Sequence, residues 1–174
     1  MMQQLKAPLR RALAVTAVGV TAIVAGAAFG ATGRGDAASV PTGCPAGKGA
    51  IKVADLTLPA RLMVDQWKSN PSVLDRSPGT VTVSAHVTAC GGRPVTGALV
   101  YVTATPWDQF STPSEAVSGA DGWANVSMSQ ANHYPASPRQ ELLAVFVRAR
   151  KPGEAILGGV STRRLVSFKV DLTQ

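Results

Sequence analysis

Charge is scarce in this chain. Asp, Glu, Lys and Arg together make up 16% of its 174 residues, against about a quarter in an average soluble domain. With 45% apolar residues beside them, that balance excludes a globally disordered chain, which needs few apolar groups and many charges. Aromatic residues are also few, at 5%, so a core must come mainly from Val, Ala and Leu. Two cysteines and two histidines leave no Cys-x-x-Cys pair and no His-Glu-x-x-His helix, which removes the common zinc signatures. There is no nucleophile elbow and no phosphate-binding glycine loop. The acids are dispersed, without the spacing of a calcium loop or of a paired-carboxylate site. The expectation is a chain that is not an enzyme and uses no cofactor or metal. His86 falls on the polar side of an alternating segment and His133 in a loop next to Tyr134. Both read as surface histidines rather than catalytic bases.

A nucleic-acid partner is excluded on similar grounds. The net charge is +7, but Lys6, Arg10, Arg11 and Arg34 lie close to the N-terminus. From Val40 onward thirteen Lys and Arg stand against nine Asp and Glu, and 13 − 9 leaves +4. That is ordinary solubility charge rather than the footprint of a polyanion binder.

The long apolar run is confined to the N-terminus. Residues 1–11 carry Lys6, Arg10 and Arg11 and no acid, and the twenty residues from Ala12 to Ala31 carry no charge at all. A basic segment followed by an apolar one is the pattern of an export signal. Ala25-Gly26-Ala27 and Ala28-Phe29-Gly30 offer small residues for cleavage, and Ala37-Ala38-Ser39 a later option. As a helix the run would reach about 30 Å, enough to span a bilayer, so residues 1–31 read as a signal peptide or an N-terminal membrane anchor. The run is weakly hydrophobic, with Leu13, Ile23 and Phe29 its only large members, which favours a transient signal. Either way Arg10 and Arg11 stay cytoplasmic and the rest lies outside. The protein is thus expected to be secreted or exposed at the cell envelope, with membrane contact only through residues 12–31 if that segment is retained. In such a compartment Cys44 and Cys90, an even pair, are expected to form a disulfide.

Residues 32–50 are rich in Gly, Ala, Ser and Pro and read as a flexible linker. Beyond them the dominant signal is alternation. Ile51–Leu58 and Arg61–Trp67 read as the first two strands. In Thr80–Ala89, Val81, Val83, Ala85, Val87 and Ala89 share one face while Thr82, Ser84, His86 and Thr88 share the other; a period of two marks a half-buried strand. The same alternation places Ala98, Val100, Val102 and Ala104 inward, then Ala124, Val126 and Met128, then Leu143, Val145, Val147 and Ala149, and finally Val166, Phe168 and Val170. Turn signals at Ser77-Pro78-Gly79, Asp121-Gly122 and Lys151-Pro152-Gly153 separate these segments. About seven short strands and no helix after residue 31 predict an all-β sandwich or barrel over 51–174.

Two surfaces are candidate binding sites. One is the loop holding Trp107 and Phe110, with Trp123 and Tyr134, whose aromatic rings could stack on a sugar or anchor a protein. Its bland alternative has Trp107 and Phe110 folding back over the core edge. The other joins Arg148, Arg150, Lys151, Arg163 and Arg164. If the last two strands form a hairpin, Arg148, Arg150 and Arg163 share its outer face and offer a basic patch to an anionic polymer or headgroup; the bland alternative is a solvated face that discourages edge pairing.

The stretch Gly92-Arg93-Pro94-Val95-Thr96-Gly97-Ala98-Leu99-Val100, followed by Gly119-Ala120-Asp121-Gly122-Trp123-Ala124-Asn125-Val126, resembles bacterial Ig-like domains of the invasin-like and carboxypeptidase regulatory-like types. The likeness covers roughly Val81 to Met128 and departs from the pattern at Ala89, where these domains often carry Asp, and at Cys90 after it. It implies an antiparallel Ig-like β-sandwich and a spacer, adhesive or accessory role in an exported bacterial protein, with a protein or polysaccharide of the cell envelope as partner. The alternative function is an accessory or inhibitor-like module for a secreted or envelope enzyme.

Overall fold

Thr80–Ala89 forms a strand over its full predicted length, and the five residues expected inward are each 0% exposed. The computed structural model describes residues 40–173; the predicted export segment lies outside the described residues. Within them the chain is all-β, with ten strands in two five-stranded sheets. They are β1 (Ile51–Lys52), β2 (Met63–Asn70), β3 (Val73–Leu74), β4 (Thr80–Ala89), β5 (Arg93–Thr96), β6 (Leu99–Thr105), β7 (Ala116–Val117), β8 (Trp123–Ser129), β9 (Leu142–Arg150) and β10 (Thr162–Val170). The predicted count of about seven misses β3 and β7, two residues each and too short to show a period, and the four-residue β5.

In the first sheet β4 is central. It pairs antiparallel with β2 along one edge, and the other edge is shared by β8, opposite Thr80–His86, and β5, opposite Thr88–Ala89. The short β1 adds to β5 in parallel. The second sheet runs β3-β10-β9-β6-β7. Its long members, β6, β9 and β10, are mutually antiparallel neighbours. Val81, Val83, Val87, Val126 and Met128 from the first sheet join Val100, Val102, Leu143, Val145, Val147, Val166 and Phe168 from the second in one buried cluster. The two inner faces are therefore sealed against each other in a sandwich-like arrangement, and apolar burial of this kind contributes roughly 25 cal/mol per Å².

Three expectations change. Ile51–Leu58 is not one strand. After Lys52 a 3-10 turn at Val53–Asp55 intervenes, closed by Leu56 N donating to Val53 O at 3.2 Å. Strict alternation would have turned Asp55 and Thr57 toward the core; the turn instead buries Leu56, at 0% exposure. Residues 40–50 of the expected linker are tied down. Cys44 and Cys90 form a disulfide, Arg93 donates to the carbonyls of Gly49 and Pro45 at 2.9 and 2.7 Å, and Gly43 O accepts from Thr57 N at 3.1 Å. The disulfide is the one expected from the pair of cysteines; the low hydrophobicity of the segment hid the polar ties. Finally, the outer side of β4 is not simply wetted. Ser84 is 9% exposed and Thr88 0%, because neighbours flank β4 on both edges.

Candidate functional site

The outer face of the second sheet follows from the register of its strands. Leu143, Val145, Val147 and Ala149 point inward, so the even-numbered residues of β9 point out. Arg148 stands opposite Tyr101 of β6 on one side and Arg163 of β10 on the other. The next outward row is Thr103, Phe146 and Leu165. The hairpin predicted from sequence is present, and it brings Arg148, Arg150 and Arg163 onto one face.

The three arginines are not equivalent. Arg150 is engaged through all three of its nitrogens: its Nε and Nη2 donate to the two carboxylate oxygens of Glu115 at 2.7 and 2.6 Å, and its Nη1 to Glu154 O at 3.1 Å. That fork holds the Glu115 carboxyl below its usual range, against a smaller opposing effect of burial, and raises the Arg150 guanidinium. Arg148 and Arg163 have no such partner. Arg148 lies over the Tyr101 ring at 4.4 Å and Arg163 over the Phe146 ring at 5.0 Å, and neither donates a hydrogen bond to a protein acceptor among the described residues. Beside Arg148 opens a cleft of about 340 Å³ walled by Leu99, Tyr101, Pro113 and Ile156 together with the Arg150–Glu115 pair, whose carboxylate also feels the charge of Arg148. Leu165 and Leu142, on the same face, are 55% and 58% exposed.

No family model, curated protein or solved structure matches the chain.

The aromatic candidates do not gather. Phe110 is 3% exposed and packs on Tyr134 at 4.9 Å between centroids, so it closes the core edge and leaves the candidate surface. Trp107, at 73%, stands alone in solvent. Trp123 lies on the outer face of the other sheet, between His86 at 5.1 Å and the Lys68 ammonium at 4.9 Å. Around it is a polar groove with Asn70, Thr82, Ser84 and Asn125.

His86 is more constrained than a surface histidine. The pairing of β2 with β4 skips between Val64 and Gln66, a bulge of the kind that re-aims a side chain. The extra residue, Asp65, places its carboxylate 2.7 Å from His86 Nδ1. His86 Nε2 donates to Asp121 O at 2.9 Å. With both nitrogens engaged, neither is positioned to exchange a proton with a bound molecule. His133 pairs with Asp108 at 3.0 Å across two exposed loops. Among the described residues no group of three or more His, Cys, Asp or Glu could hold a metal ion.

Sequence reasoning named the arginines but missed Tyr101, Phe146 and Glu115, which give them opposite roles. The alternation that turns Val100 and Val102 inward turns Tyr101 outward; which guanidinium lies on which ring depends on register across three strands, and no single segment encodes that.

Proposed function

We propose that this chain is an exported, non-catalytic Ig-like domain that binds a partner at the cell envelope through the outer face of its second sheet. The Ig-like reading is supported by strand order. Taking β2, β4, β6, β8, β9 and β10 as strands A, B, C, E, F and G, one sheet runs A-B-E and the other G-F-C, as in the immunoglobulin fold. The Cys44–Cys90 disulfide supports an oxidising compartment, where such bonds persist.

One observation carries the binding reading. Two guanidiniums stand directly opposite each other on neighbouring strands, each on an aromatic ring and neither with an acceptor. Like charges so placed are mutually destabilising, and an anionic group bound between them relieves the repulsion.

The test is a photo-crosslinking residue at position 165 of the full chain, produced in its own cells. Discrete adducts with envelope components are expected, absent when the same residue replaces Gln66 on the opposite sheet and lost in the double variant R148E/R163E. Equal labelling from positions 165 and 66 would remove the proposal.

A further inference from the structure

We infer that the partner on this face is a protein segment carrying carboxylates beside an apolar anchor residue, the carboxylates meeting Arg148 and Arg163 and the anchor entering the cleft next to Tyr101. This rests on the binding reading above and adds the partner's chemistry.

Charge complementarity gives the first half. The groups without a hydrogen-bonded acceptor are guanidiniums, centred 4.4 Å from the Tyr101 ring and 5.0 Å from the Phe146 ring, and each carries its N–H donors in a planar fork. A fork matches a carboxylate through two parallel hydrogen bonds, whereas an ammonium would offer only a point charge. Arg150 already shows the pairing this face makes, with Glu115 held by both oxygens.

The apolar surroundings decide between sources of anionic charge. A phosphate polymer would satisfy the arginines and leave Leu165, Leu142 and the walls of the cleft at Leu99, Pro113 and Ile156 in water. A lipid surface would use Lys as readily as Arg, yet the face carries only Lys169, in the row beyond Ser167. Tyr, Phe and Arg at the centre with Lys displaced to the rim is the composition of a protein–protein contact. A second copy of this chain fits poorly, because its described part is itself net positive, 13 − 9 = +4 from Val40 onward, with scattered acids.

The probe is a fluorescent nonapeptide of glutamates with one central leucine, titrated against the full chain by anisotropy. Saturable binding at about millimolar affinity or tighter is expected. It should weaken at least about tenfold in R148E/R163E and about threefold in R148K/R163K, which keeps charge and loses the fork. A peptide with glutamines in place of the glutamates should not bind. No saturable binding, binding indifferent to the charge reversal, or tighter binding to inorganic polyphosphate or phosphatidylglycerol vesicles than to the peptide each overturns the inference. If the peptide fails while arginine-dependent crosslinks from position 165 persist, the acidic-segment inference falls and the binding reading stands; if both fail, both fall.

Discussion

Gly122 shows how much one residue decides. Its φ is +79°, and a Cβ there would meet Val87 O at 2.7 Å and His86 Nε2 at 2.9 Å. Asp121-Gly122 was legible as a turn because positive φ needs glycine. The close approach was not, since His86 lies far away in sequence. Gly122→Ala should cost about 1–3 kcal/mol from backbone strain and crowding, read as a lower midpoint in urea. Trp107 is the opposite case. At 73% exposure, Trp107→Ala should change stability by less than about 0.5 kcal/mol; a large fall in Tm would place the indole in the core. Glu115 gives a pH signature. Its folded pKa is lowered, chiefly by the hydrogen bonds from Arg150. Its stabilisation is therefore complete above the unfolded-state value of about 4.3 and is lost as pH falls through the lowered folded value. The Tm difference between wild type and Glu115→Gln should be full at neutral pH and close in acid.

At the scale of elements, strands long enough to alternate were readable and short ones were not. Thr80–Ala89 and the inward sets of β6, β8, β9 and β10 could be assigned because a period of two repeats over several residues. A two-residue strand such as β1 or β7 owes its existence to its partner's free edge. The disulfide is the clearest tie between elements. Cys44 and Cys90 are 46 residues apart, and closing a loop of that length stabilises by about 4 kcal/mol in the chain-entropy account. C44S/C90S should lower the urea midpoint accordingly. Hydrogen exchange should show the largest loss of protection at residues 40–52 and in β5, because β1 and the Arg93 contacts depend on that anchor. Uniform loss across both sheets would mean the bond does not act locally.

For the whole molecule, the two outer faces differ in kind although both belong to half-buried strands. The first sheet presents Thr82, Asn125, Ser127 and Gln66 around a single aromatic, Trp123, with Lys68 over it; the second presents Tyr101, Phe146, Leu165 and the arginines. The second arrangement contributes little to holding the sandwich together. R148E/R163E should therefore keep the wild-type circular dichroism, with a Tm close to that of wild type, because one facing like-charge pair is exchanged for another. A Tm fall of more than about 5 °C, corresponding to roughly 1 kcal/mol in a domain of this size, would make the arginines structural.

Composition and alternation by themselves determined the all-β class, the inward residues of the long strands, the principal turns and the pairing of the only two cysteines, because each depends on local periodicity or on a count. Tertiary structure alone decided which cation is neutralised and which is exposed, that Phe110 is buried and Trp107 is not, and that a bulge delivers Asp65 to His86. The first and last depend on register between strands distant in the chain, where a shift of one residue would send each such side chain to the opposite face; the second depends on a 3-10 turn and a single bridge from Phe110 to Gln130.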